Sequence, residues 1–115
     1  GLFASERPHC LLVLGRYADG LAGDVAELDA LLESVDCCQC PWSVCCFGPA
    51  EQAVMQHALA HGGHVRIGFE NNLLLADGSV AGDNAALVEQ FVQSIAGGPR
   101  RPATAADVRG LLTDC

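Results

Sequence analysis

The chain has 115 residues, of which half are hydrophobic and 17% are charged, so it is long enough for one packed domain and too short for two. Fourteen acidic residues against six basic ones give a formal net charge of −8, which disfavours binding to the phosphate backbones of nucleic acids. No apolar run approaches the roughly 18 residues of a membrane span, so no membrane partner is expected.

Apolar runs alternate with amphipathic stretches along the chain. Strands are predicted at residues 10–14, 42–47 and 64–68, since each is a short apolar run bounded by turn residues. Helices are predicted over about residues 24–35, from Pro49 to Gly62, from Asp83 to Ile95, and from Thr104 to near Leu112. The segment from Leu73 to Gly82, which contains Asp77-Gly78, is predicted to be a loop.

This βαβαβα order with a terminal helix predicts an α/β fold with right-handed crossovers and a parallel sheet in chain order. Helices are expected to cover one face of the sheet and to leave the other open and apolar. Eight such units would need roughly 300 residues, within the range of a (β/α)₈ barrel. Three units close poorly on themselves, so residues 1–115 are expected to be one partial barrel domain, a fragment of something larger.

Seven cysteines occur in the sequence, at positions 10, 37, 38, 40, 45, 46 and 115. An odd number prevents complete pairing within the chain, and vicinal pairs suit a disulfide framework poorly. A chain that starts at Gly1 without a charged-then-apolar leader is also expected to lack a signal peptide. These features indicate a reducing compartment, hence a cytoplasmic location. The CxxC at residues 37–40 has no second CxxC at zinc-ribbon spacing, so the cysteines are interpreted as core and loop residues.

Polar side chains are concentrated in and after the third predicted strand. Arg66 lies within that strand and Glu70 at its carboxyl end, the end that faces ligands in α/β folds. A regular strand would place Arg66, Gly68 and Glu70 on one face. This arrangement suits a metal-and-anion site, and it equally suits an Arg–Glu ion pair that fills a barrel interior.

Residues 62–72, Gly-Gly-His-Val-Arg-Ile-Gly-Phe-Glu-Asn-Asn, resemble the G-G-H-V-R-V-G-L-E-D-N signature of the beta-keto acid cleavage enzymes. The resemblance continues at Pro41–Val44, in the helix start at Asp83–Val88 and in the closing segment Pro102–Arg109. It implies the carboxyl-terminal three βα units of a (β/α)₈ TIM barrel.

The resemblance implies a zinc-dependent reaction of a beta-keto acid with acetyl-CoA, which gives acetoacetate and a new acyl-CoA. Glu70 corresponds to a zinc ligand of the family, whose two histidine ligands come from an early strand that this chain lacks. Arg66 corresponds to the arginine of a catalytic dyad whose aspartate is replaced here by Asn71. An asparagine cannot accept a proton or carry that charge. A homo-oligomer is expected for the full-length enzyme. The alternative is a non-catalytic paralogue or fragment that acts only as a packing module.

The histidines allow a second metal hypothesis. His57 and His61 are spaced i, i+4 on a predicted helix, a pairing that can bind a metal. No acidic third ligand is close in sequence, so both are interpreted as surface residues of an outer helix. His64 is expected to make a structural hydrogen bond, and His9 to face solvent.

Overall fold

A computed structural model describes residues 8–16, 22–35 and 40–113, so Cys37 and Cys38 of the CxxC segment lie outside the described residues. In these ranges the fold is α/β, with three strands and four helices. They are β1 (Cys10–Leu14), α1 (Val25–Val35), β2 (Trp42–Cys46), α2 (Glu51–Ala60), β3 (His64–Val65), α3 (Asn84–Ser94) and α4 (Ala105–Thr113).

The three strands form one parallel sheet in the order β1-β2-β3, which confirms the predicted topology. The register aligns Leu12 with Val44 and Val44 with Val65. The strand β3 is shorter than predicted. The Arg66 N–H still bonds to the Val44 carbonyl at 2.9 Å, but the chain then turns at Gly68, whose carbonyl accepts from the next residues of the loop.

Side-chain caps define three helix starts, as the sequence patterns predict. Asp24 accepts a hydrogen bond from the Glu27 N–H at 2.8 Å, and Asp83 accepts one from the Ala86 N–H at 2.8 Å. Before α4, Thr104 and Asp107 each accept from the other's backbone N–H, at 3.2 and 2.9 Å. This reciprocal pair is a complete capping box.

The core lies between the sheet and the helices α1 and α2. Buried side chains come from both layers: Leu12, Leu14, Leu28, Leu32, Trp42, Val44, Cys46, Val54, Met55 and Ala58. The other sheet face is more open, since Leu11 and Val13 are 45% and 48% exposed. Because neighbouring strand residues point to opposite faces, Cys45 and Cys46 are divided between the two sides of the sheet, and both are buried.

The helix α3 buries only part of its predicted inner face. Leu87 and Phe91 are buried, whereas Val88 and Val92 are exposed and face a groove shared with β3 and α4. The periodicity therefore predicted the apolar side of α3 correctly. Within the described part of the chain, only about half of that side is buried. No helix in the described part of the chain is long and apolar enough to cross a membrane.

Candidate active site

The paired glycines before β3 are required for two different reasons, backbone conformation at Gly62 and packing at Gly63. Gly62 ends the turn after α2 with a φ of +85°, a conformation that L side chains rarely adopt. Gly63 packs against the indole of Trp42, and a Cβ placed there would lie 2.3 Å from two of its ring carbons. The first two residues of the signature therefore position β3 against the core and carry no chemistry of their own.

Arg66 and Glu70 meet at the carboxyl end of β3. The Arg66 guanidinium donates to the Glu70 carboxylate in an i, i+4 ion pair. Their side chains are 48% and 55% exposed, so the pair is open to solvent and does not fill a sealed interior in this chain. Glu70 itself lies in the turn that follows the strand, since β3 ends at Val65.

The turn that carries Glu70 is fixed by hydrogen bonds on both sides. The Gly68 carbonyl accepts from the N–H groups of Asn71 and Asn72, at 3.1 and 3.2 Å. From α3, the Asn84 side-chain oxygen accepts from the Phe69 N–H at 2.7 Å. The turn is thus held by its own backbone hydrogen bonds and by one bond from α3.

Asn71 is buried at this edge of the sheet, and its hydrogen bond reaches the end of β2 rather than Arg66. Its carbonyl accepts from the Gly48 N–H at 3.0 Å, directly after β2. Its side chain lies beside the thiol of Cys45 and acts to lower the pKa of that thiol. Arg66 is therefore paired with Glu70, whereas Asn71 contacts the end of β2.

Cys45 is a member of the site that the sequence interpretation treated only as a packing residue. Burial raises the pKa of its thiol, while the nearby positive charge of Arg66 acts in the opposite direction and the negative charge of Glu70 raises it further. The thiol is therefore neutral at pH 7 and is a poor nucleophile. Continuing the observed register by one residue sets Cys45 on β2 opposite Arg66. This pairing is the signal that could have placed Cys45 in the site.

Glu51, at the start of α2, is a second polar residue that sequence reasoning passed over. It is only 4% exposed, its Oε1 accepts from the Asn72 side-chain amide at 3.3 Å, and its Oε2 has no hydrogen-bond partner among the described residues. Burial raises the pKa of this carboxyl group, against the opposing effect of the Asn72 hydrogen bond. A buried carboxyl group thus lies beneath the turn that carries Glu70.

Within the described residues, the potential metal ligands that cluster together lie away from Glu70. Glu70 belongs to no group of three His, Cys, Asp or Glu side chains that could share one ion within the described ranges. Asp29, His57 and His61 do form such a group, with one potential ligand atom of each within 4.8 Å of the others. The third, acidic member that the sequence did not reveal is Asp29, which lies 28 residues from His57.

A groove of about 850 Å³ adjoins the ion pair. Its apolar wall is formed by β3 and α3, and its charged rim includes Arg66, Arg100 and Arg101. His64 faces this groove, and burial together with the Arg100 charge and His9 lowers its pKa. His9 is exposed, as expected, but its ring also lies 2.6 Å from the Ser43 hydroxyl.

Comparisons with known proteins agree with the signature. A family model described as beta-keto acid cleavage enzyme matches residues 1–113. A curated relative, the 3-keto-5-aminohexanoate cleavage enzyme of Fusobacterium nucleatum subsp. nucleatum, is 35% identical over 111 residues. That match covers 96% of this chain and 39% of the relative, so the chain spans well under half the length of that relative.

Proposed function

This chain belongs to the beta-keto acid cleavage enzyme family, and on that premise we propose that it forms the carboxyl-terminal part of a zinc-dependent member. The reaction proposed takes a beta-keto acid and acetyl-CoA to acetoacetate and a new acyl-CoA. In it, the C2–C3 bond of the keto acid and the C–S bond of acetyl-CoA break. The acyl part of the keto acid forms the new thioester with the CoA sulfur, and the remaining two-carbon carboxylate fragment bonds to the acetyl carbonyl carbon to give acetoacetate.

The fold proposed for the whole protein is a TIM barrel, in which residues 1–115 form one partial domain with the last three βα units. The parallel order β1-β2-β3 and the helices α1 and α2 on one face support this placement. In such a barrel the exposed Leu11 and Val13 would face the interior. The whole enzyme is proposed to be a cytoplasmic homo-oligomer that acts on small molecules.

Glu70 suits a metal as one ligand, because its carboxylate is exposed at the carboxyl-end edge of the sheet, where barrel enzymes bind substrates. Catalytic zinc takes about three protein ligands, so the other donors must come from segments beyond the described residues. When bound there, zinc supplies a Lewis acid that polarises the oxygens of the keto acid.

Arg66 has two tasks in this proposal. Its guanidinium orients the Glu70 carboxylate through their ion pair. Arg66 also lines the groove, where its guanidinium would bind the carboxylate of a keto acid, a pairing to which its planar geometry is suited. The observation that carries the proposal is this Arg66–Glu70 pair, held at the carboxyl end of β3 within a family match that spans the chain.

At Asn71 this chain departs from the family signature, which has an aspartate there, and this difference is expected to affect the reaction rate. Both the Asn71 side chain and the positive charge of Arg66 act on the pKa of the Cys45 thiol, so Asn71 and Arg66 lie near the same thiol. An aspartate at this position would therefore place a carboxylate in the neighbourhood of the guanidinium and restore a proton acceptor there. We expect Asn71→Asp to raise the rate of the complete protein.

The test measures acetoacetate release by the complete protein that contains this segment, with acetyl-CoA and a panel of beta-keto acids. Glu70→Ala should abolish turnover and lower the bound zinc, whereas Glu89→Ala, an exposed glutamate on α3, should change neither. Asn71→Asp should be faster than the parent. Equal rates in the parent, Glu70→Ala and Asn71→Asp would refute the assignment of the chemistry to this edge.

A further inference from the structure

We propose that Asp29, His57 and His61 form a binding site for a divalent transition metal, with Zn²⁺ as the first choice, on the outside of the helical layer. Asp29 lies on α1, His57 on α2, and His61 directly after α2. Two imidazoles and one carboxylate are a donor set that zinc accepts, with a fourth position for water.

The positions of the ligand atoms suit a small cation. The His57 Nε2 lies 2.6 Å from the Asp29 Oδ1, and all three potential donors lie within 4.8 Å of one another. Tetrahedral zinc with bonds of about 2.0–2.1 Å requires donor atoms about 3.3 Å apart. This requires donor atoms to move by up to ~1.5 Å relative to one another, a change that rotation of the Asp29 side chain, which is 57% exposed, can help to supply.

The hydrogen bond of His61 prepares its ring for a metal. Its Nδ1 lies 2.9 Å from the His57 carbonyl oxygen, which can only accept a hydrogen bond, so Nδ1 carries the proton. The neutral ring then has its lone pair on Nε2, the atom left for a metal. A backbone carbonyl that fixes the second ring nitrogen in this way is the usual outer partner of a metal-binding histidine.

This site is distinct from the candidate active site. The helix α2 begins after the carboxyl end of β2 and ends before the amino end of β3, so His57 and His61 lie towards the amino-end edge of the sheet. Glu70 follows the carboxyl end of β3. A metal bound by the three residues would therefore take no part in chemistry at Glu70. It would instead cross-link α1 to α2.

The charge of the chain favours a cation at this position. The formal net charge is −8, and an excess of negative charge raises the local concentration of divalent cations at a surface. Without a metal, the same residues make an ordinary surface pair between His57 and Asp29. Such a pair needs no third partner, whereas a metal site requires His61, and this difference separates the two interpretations.

The experiment titrates Zn²⁺ into the full 115-residue chain, kept reduced with a non-thiol reductant, and follows the heat of binding. The test variants are His61→Gln and Asp29→Asn. The matched controls are His9→Gln, a histidine outside the group, and Glu89→Gln, an exposed glutamate on α3 that belongs to neither site. A parallel titration with Co²⁺ reports by its absorption spectrum whether the ligands are nitrogen and oxygen or thiolate.

We expect one zinc per chain, with a dissociation constant weakened at least ~10-fold in both test variants, the loss that even outer-shell substitutions cause. Both controls should bind as the unaltered chain does, and zinc should raise the melting temperature only where it binds. Equal affinity in all five proteins, a thiolate band in the cobalt spectrum, or no binding by the unaltered chain would each overturn the proposal. The cobalt spectrum requires no variant, so the proposal stays testable if a substitution impairs folding.

Discussion

Replacing Gly63 by alanine should destabilise the fold through a clash with a single side chain. A Cβ at this position would lie 2.3 Å from two carbons of the Trp42 ring and 2.6 Å from a third. Carbon atoms pack at about 3.5 Å or more, so the indole must retreat by about 1.2 Å. Trp42 is only 7% exposed, and the surrounding core leaves little room for this movement.

The size of the effect follows from two opposing contributions. Overpacking of a core typically costs about 1–3 kcal/mol. Replacing glycine by alanine stabilises by about 0.4–1 kcal/mol through the unfolded chain, because Gly63 has no positive φ to forbid a side chain. The net loss in the free energy of unfolding is therefore about 1–2 kcal/mol. In urea this corresponds to a lower midpoint by roughly 1 M.

The assay is urea unfolding followed by far-UV circular dichroism, in the unaltered chain and in a Trp42→Phe background. The smaller ring removes the clashing atoms, so the penalty of Gly63→Ala should shrink there. Gly62→Ala is the control, since its cost of about 1–2 kcal/mol comes from the positive φ and not from Trp42. The reasoning is refuted if Gly63→Ala costs the same in both backgrounds.

Two further predictions concern burial and exposure. The raised pKa of Glu51 favours folding below its unfolded value of about 4.5, and this contribution is lost as the pH rises through the folded value. Glu51→Gln should therefore be more stable than the unaltered chain at pH 7, by about 1 kcal/mol, with the gap closing below pH 4.5 in urea titrations; a gap independent of pH would contradict this. The apolar face with Leu11 and Val13 should make the 115-residue chain self-associate in sedimentation velocity, and Leu11→Gln with Val13→Thr should reduce it. A monodisperse unaltered monomer would count against that prediction.

Local patterns in the sequence were enough to predict most of the fold. Short apolar runs, capping residues and paired glycines act within a few residues of one another, so the strands, the helix starts and the parallel order could be anticipated. The caps of Asp24, Asp83 and Thr104 confirm this. The exception is β3, whose end depends on Gly68 and on hydrogen bonds that the loop makes to itself.

The candidate site was predicted only in part. The motif placed Arg66 and Glu70 near the same edge, because four residues at a strand end cannot separate them far. It did not reveal that Asn71 accepts a hydrogen bond from Gly48, since that contact joins the loop to the end of a neighbouring strand. The buried Glu51 was missed for the same reason: its burial depends on the loop that folds over the start of α2.

Contacts between neighbours along the chain were enough to predict the types of the elements, their order and the signature residues. Which distant side chains meet depended on how those elements pack together. Asp29 and His57 are 28 residues apart, and no periodicity relates them. They come together because α1 and α2 pack side by side on the same sheet face, and that packing depends on the shape of the shared core rather than on either helix alone.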